Sequence, residues 1–300
     1  MVMQKIILYY KFTPIADPEV VRLWQRTLCE SVSVKGRILI SEHGINGTLG
    51  GDIEALKSYV KQTKQLPGFK DIVFKWSDGT GQDFPKLVVK VRDEIVTFGA
   101  ADEIEVTTKG IVGGGKHLKP RQVHELVEKH GDEVVFFDGR NAFEAEVGRF
   151  KNAIIPAVDH TRDFATELAD PKYDAIRHKP VVTYCTGGIR CEVLTMMMKK
   201  RGFTDVYQMD GGIVKYGETY KDDGLWEGSL YVFDDRMGLK FSDKARDIAS
   251  CTHCRGSTSR YQNCRNLECN KLVVICTDCA AYGHQDCTKC TTAPLKLTKQ

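Results

Sequence analysis

The sequence predicts an α/β chain in three parts. These are a ferredoxin-like (acylphosphatase-like) α+β domain over about 1–105, a doubly wound parallel-sheet domain over about 106–230, and a cysteine-rich segment over about 231–300. Three observations carry this. The first hundred residues run strand, helix, strand, strand, helix, strand, the order of a split βαβ unit. The next stretch alternates helical and strand patterns, which implies a parallel sheet with helices on both faces. Eight of the eleven cysteines fall between Cys251 and Cys290, so the last segment is built on a local device. At 300 residues the chain is also too long for one ordinary core.

The elements follow in order. Lys5–Phe12 is apolar and β-prone, and it reads as a first strand. Asp17-Pro18 supplies an N-cap and a first-turn proline to the helical pattern that follows and contains Cys29, which is read as packing. Gly36 opens a second strand, and Asn46-Gly47 is a hairpin-turn signal. Asp52 begins a second helix that closes at Pro67-Gly68. Strands over 71–77 and 86–99 complete the domain. A linker containing Gly113, Gly114 and Gly115 leads to a helix from Pro120, a buried strand ending at Asp138, a short strand over 153–157 and a helix over 161–170. The strand Val181–Cys185, a helix from about Arg190 and a strand over 205–212 complete the central part. Met196, Met197 and Met198 read as helix packing.

Several classes are excluded. No apolar run approaches the roughly 20 residues of a membrane helix. The N-terminal apolar stretch ends at Lys11 without a small-residue cleavage site, so it reads as a strand and not a signal peptide. The expected compartment is the reducing cytoplasm, where thiols serve as metal ligands or catalysts more often than as disulfides. A net charge of +3 does not announce a nucleic-acid binder. Residues 231–300 carry 11 Lys+Arg against 7 Asp+Glu, but eight thiolates binding two divalent ions would cancel that excess.

The stretch that carries chemistry is Cys185-Thr186-Gly187-Gly188-Ile189-Arg190-Cys191. An apolar strand delivers Cys185 to the carboxyl end of a parallel sheet, where open α/β folds place their ligands. Two glycines let the loop curl so that backbone N–H groups converge on the sulfur, and a helix N-terminus follows. Both favour the thiolate, which is the nucleophile. Arg190 can close the loop and hold an anion. The bland alternative is a buried cysteine ahead of a helix. Cys191 either resolves an oxidised Cys185 as a disulfide or packs the helix start.

This segment resembles the active-site loop of the rhodanese (sulfurtransferase) superfamily, in which the first cysteine carries a persulfide. Cys185 to Arg190 makes a six-residue loop, as in sulfur-transferring rhodaneses; related phosphatases of the same fold have one residue more. Asp138-Gly139-Arg140 and Met209-Asp210-Gly211-Gly212-Ile213 resemble further rhodanese motifs, whereas Arg149 to Ile154 departs from the usual Gly-His-Ile stretch. Ser41-Glu42-His43-Gly44-Ile45-Asn46-Gly47-Thr48, the Cys185/Cys191 pair and the three-part layout are similar to the bacterial tRNA uridine hydroxylase family. That resemblance implies a central rhodanese-like domain. It also implies tRNA as partner, molecular oxygen as co-substrate, and 5-hydroxyuridine at the wobble position (U34) as product. Glu42 and His43 face the reactive pocket or form a solvated turn. Two other functions stand beside this one: a persulfide-forming sulfurtransferase, and a zinc-stapled RNA-binding scaffold without turnover.

In the tail, the pairs Cys251/Cys254, Cys264/Cys269, Cys276/Cys279 and Cys287/Cys290 are what two tetrahedral, four-thiolate zinc sites require. Pairing is sequential or interleaved, and His253 and His284 are spare ligands. An Fe–S cluster, disulfides, or reduced thiols packed without metal are the other readings. A metal here would staple a segment that has no regular core of its own. Tyr261 with Arg255, Arg260 and Arg265 forms either an RNA-facing surface or a solvated one.

Overall fold

The computed structural model describes residues 3–233, 237–266, 268–269, 271–284 and 286–291. The chain divides into two compact units. One comprises Met1–His117, His160–Pro180 and Ile189–Gln208; the other comprises Leu118–Asp159, Val181–Gly188 and Met209–Gln300.

In the first unit, β1 (Gln4–Phe12), α1 (Pro18–Ser31), β2 (Lys35–Ser41), β3 (Gly44–Asp52), α2 (Ile53–Thr63), β4 (Phe74–Asp78) and β5 (Leu87–Val91) follow the predicted order. The helices start where their caps dictate. Asp17 accepts from the Val20 N–H at 3.0 Å, and Asp52 accepts from the Glu54 N–H at 2.9 Å. The sheet order is β4-β1-β3-β2-β5, with β5 parallel to β2 and the other pairings antiparallel. Ile7, Ile38, Ile40, Ile45, Leu49, Leu56 and Tyr59 form its core. Cys29 is fully buried there, and desolvation pushes its thiol up to about 12, so it packs as a small hydrophobe.

Two expectations for this unit are corrected. Asn46-Gly47 is not the hairpin turn. Both residues lie inside β3, and the two-residue turn is Glu42-His43, flanked by the pair Ser41 and Gly44. The glycine answers to packing: Gly47 sits opposite Tyr9, and a Cβ there would come within 2.3 Å of the tyrosine ring. Asn46 donates from Nδ2 to the Ile95 carbonyl at 2.9 Å, 49 residues away. The last predicted strand is also shorter, ending at Val91. Beyond it, buried Glu94 turns the chain by accepting from the Gly99 and Ala100 N–H groups at 2.8 and 2.9 Å. The remaining helix, Ile189–Lys200, buries Met196, Met197 and Met198 as expected.

In the second unit, Val181–Tyr184 pairs in parallel with Val135–Asp138, Val181 opposite Val135. The strand expected over 153–157 is only an isolated bridge, Phe137 to Ile154. A helix that sequence reasoning missed, Gly212–Tyr220, follows the Asp210-Gly211 turn.

The tail and the residues just before it carry more regular structure than expected. Trp226–Gly228 pairs with Gly148–Phe150, Leu230–Tyr231 with Gly238–Leu239, and Tyr261–Asn263 with Leu272–Val274. Val147, Tyr231, Tyr261 and Val274 share one small core. Tyr261 is therefore not RNA-facing: it is 5% exposed, and its hydroxyl donates to the Phe143 carbonyl. Of the three arginines beside it, Arg255 and Arg260 are exposed, and Arg265 pairs with Asp286 at 2.8 Å.

Asp138 and Arg140 form a buried ion pair at 2.6 Å, and Arg140 also donates to the Glu144 and Gly148 carbonyls. The guanidinium lies 5.3 Å from the centre of the buried Trp226 ring. Arg140→Ala leaves a dry carboxylate without its counter-charge and removes the donor that two backbone carbonyls share. Denaturant unfolding should show a loss of about 3–5 kcal/mol.

Candidate active site and cysteine clusters

Cys185 follows the strand Val181–Tyr184 directly and is fully buried. The Gly188 N–H donates to its sulfur at 3.1 Å, and Gly188 takes φ +103°, a conformation side chains rarely adopt. The curl that the paired glycines predicted is thus present. An N–H aimed at the sulfur favours the thiolate over the thiol.

The loop is held from outside by a contact that sequence reasoning missed. The Ile213 N–H donates to the Cys185 carbonyl at 2.9 Å, and the Val214 N–H to the Thr186 carbonyl at 3.1 Å. The first turn of the helix Gly212–Tyr220 therefore satisfies the loop's carbonyls. Gly212 makes the approach feasible. It takes φ +67°, and a Cβ on it would lie 2.4 Å from the Cys185 oxygen. The double glycine after the last strand was the available signal. Gly212→Ala should cost about 1–3 kcal/mol in stability. It should also displace the loop enough to lower turnover by about a hundredfold; unfolding curves and product formation by the purified variant report the two effects.

The other predicted loop residues are placed as follows. Thr186 and Ile189 are half-buried, and Gly187 and Gly188 are buried. Arg190 and Cys191 occupy the first turn of the helix Ile189–Lys200, Arg190 at 7% exposure and Cys191 fully buried. Glu42 and His43 form the β2–β3 turn, with Glu42 exposed.

The eight tail cysteines form two groups, Cys251/Cys254/Cys276/Cys279 and Cys264/Cys269/Cys287/Cys290, the ligand sulfurs of each lying within 4.8 Å of one another. The pairing is interleaved. Cys254 and Cys276 sulfurs are 3.7 Å apart, and those of Cys269 and Cys287 are 3.6 Å apart. A disulfide would bring sulfurs to about 2.05 Å. A tetrahedron of zinc–sulfur bonds of about 2.3 Å has edges near 3.8 Å. The sulfur spacing therefore fits a shared ion.

The electrostatics point the same way. Burial raises the Cys251 thiol, but the N–H groups of Cys254, Cys276 and His253 outweigh it and bring it down to about 6. Desolvation and the neighbouring sulfurs push Cys279 of the same group up to about 12. Cys287 is brought down to about 7, burial being outweighed by the Cys290 N–H and the neighbouring sulfurs. Contact with Cys287 pushes Cys290 up to about 12. One thiolate in each group suppresses ionisation of its neighbours unless a cation joins them. The exposed rings of His253 and His284 stack at 3.6 Å, and four sulfurs complete each group without them.

A cysteine presented by a parallel strand, cradled by a six-residue glycine loop, defines a rhodanese-type domain. Family models agree: residues 4–95 match an acylphosphatase-like domain (UPF0176), 120–219 a rhodanese-like domain and 227–291 a rhodanese C-terminal region. The chain is 59% identical over 286 residues to a protein of Corynebacterium urealyticum named tRNA uridine(34) hydroxylase, covering 95% of this chain and 96% of that one. It is 61% identical over 284 residues to the protein of the same name from Pseudarthrobacter chlorophenolicus, covering 94% and 96%. The chain belongs to the tRNA uridine(34) hydroxylase family.

Proposed function

We propose that this protein hydroxylates uridine 34 of tRNA to 5-hydroxyuridine, with Cys185 as the reactive thiolate. The observation that carries this reading is identity of 59% and 61%, over nearly the full length, to two proteins named for that reaction. The loop geometry supplies a matching reactive group: a sulfur at the end of a parallel strand with a backbone N–H already on it. Molecular oxygen is the co-substrate that the family resemblance implies, and tRNA in the cytoplasm is the partner. Among the described residues no helix is long and apolar enough to cross a membrane.

In this reading the backbone of Thr186, Gly187, Gly188 and Ile189, with Arg190, cradles negative charge on or beside the sulfur. Cys191 is the resolving thiol: it attacks a Cys185 sulfenic acid, forms the disulfide and releases water. Zinc in each four-cysteine group would hold the tail together, a structural role that fits four sulfurs and no open position. The test is nucleoside analysis of tRNA from a strain lacking the endogenous gene and carrying this one. 5-Hydroxyuridine should return, and its absence would overturn the reading.

A second reading, sulfurtransfer from thiosulfate through a Cys185 persulfide, draws on the same Gly188 contact and the six-residue loop. Thiocyanate release from thiosulfate and cyanide by purified protein measures it; negligible turnover would remove it.

A further inference from the structure

The tail holds a polar cavity of about 640 Å³, open to solvent, that the reactions above do not use. Its volume falls within the range of small-ligand sites. Its walls include Ser229, Lys240, Asp247, Ser259, Arg260 and Gln262.

The charges of this wall do not cancel. Lys240 and Asp247 pair at 3.0 Å. Burial raises the Asp247 carboxyl, but the adjacent Lys240 ammonium and Ser259 hydroxyl outweigh it and hold it below its ordinary value. Arg260 has no carboxylate partner among the described residues, so the wall carries one uncompensated positive charge. Its backbone is fixed on both sides: its N–H donates to Thr258 Oγ1 at 3.2 Å, and its carbonyl accepts from Ile275 at 3.0 Å.

The wall also has unmet hydrogen-bonding capacity. Ser229 is 2% exposed, and its hydroxyl has no partner. The Gln262 side-chain oxygen is buried and likewise unpartnered. Buried polar atoms without partners are costly, and an occupant of the cavity is the group placed to supply them. Gln262 oxygen only accepts, so that occupant must donate as well as carry an anion. Bare inorganic phosphate meets the first need poorly. A sugar phosphate with free hydroxyls meets both.

We infer that this cavity seats one ribonucleotide of an RNA strand, its phosphodiester on Arg260 and its ribose 2′-hydroxyl on Asp247. A single negative charge matches Arg260, which has no carboxylate partner among the described residues. Asp247 retains acceptor lone pairs beyond those that Lys240 uses. The 2′-hydroxyl is the group by which such a site tells RNA from DNA. This deepens the tRNA reading above by naming where a nucleotide outside the reactive loop is held.

The test uses the full chain and an unmodified tRNA transcript, with affinity followed by fluorescence anisotropy across salt concentrations. Arg260 is exposed, so Arg260→Ala should fold. It should bind tRNA about tenfold more weakly, with the salt slope reduced by about one ion. Uridine 5′-monophosphate should displace tRNA from the wild type more effectively than its 2′-deoxy counterpart does. Unchanged affinity and slope in Arg260→Ala, or equal displacement by the two nucleotides, would overturn the assignment. The two readings fail separately. A wild type that restores 5-hydroxyuridine while Arg260→Ala binds tRNA normally sinks only the cavity. A wild type that restores none sinks the proposed function.

Discussion

Cys185→Ala should abolish 5-hydroxyuridine formation while leaving a folded protein that still binds tRNA. The expected loss is at least a thousandfold, the scale seen when a covalent nucleophile is removed and only binding remains. Folding should survive, because the substitution removes one buried atom and keeps the backbone contacts that define the loop. The Cys185 carbonyl still accepts from Ile213, and the Thr186 carbonyl from Val214. Cys185→Ser is the sharper variant. Its hydroxyl can occupy the sulfur's place and receive the Gly188 N–H, yet an alcohol is not ionised near neutral pH and cannot carry a sulfenic acid or persulfide. Loss of product in both variants, with tRNA affinity intact, places the chemistry on sulfur. Full activity in Cys185→Ser would show that product formation does not need the sulfur and would overturn the role of Cys185.

How much of this was legible in the sequence depends on the range of the physics behind each feature. The cap at Asp17, the helix start at Asp52 and the glycine curl after Cys185 act over a few residues, and all three are where the sequence places them. Asn46-Gly47 was misread because its glycine answers to Tyr9 on a neighbouring strand and its asparagine to Ile95, neither visible in the local pattern. Gly211-Gly212 was legible as a turn. Its clamp on the Cys185 carbonyl was not, because 27 positions separate the two in the chain. Tyr261 sits in a polar, basic stretch, so its surroundings suggested a surface ring. Its actual neighbours include Phe143 and Val147, contributed by a segment more than a hundred residues earlier. The tail lacked a visible core for the same reason: part of that core is supplied from elsewhere.

The pairing of the tail cysteines was likewise beyond spacing arguments, and it carries the second large prediction. If each interleaved group holds one zinc, native mass spectrometry of the intact chain should report two ions. Cys251→Ser with Cys264→Ser strikes both groups and should leave no tightly bound zinc. Cys251→Ser with Cys276→Ser strikes one group twice and should leave one ion. Sequential pairing predicts the reverse, because Cys251 and Cys264 would then share a site. The effect on the fold should be correspondingly large. Structural zinc sites bind with apparent free energies of roughly 10–16 kcal/mol, which is comparable to the whole stability of an ordinary domain. Interleaving spreads that effect along the chain. Each ion ties a hairpin-side knuckle, Cys251/Cys254 or Cys264/Cys269, to a knuckle some twenty residues on, so the strand Leu272–Val274 lies between ligands of both sites and Tyr261–Asn263 between ligands of the first. Chelation should therefore expose the Tyr261 core as well as the cysteines, and amide exchange in Tyr261–Asn263 should rise as zinc leaves. Protection that stays unchanged after complete zinc removal would show that the apolar core holds these strands without metal.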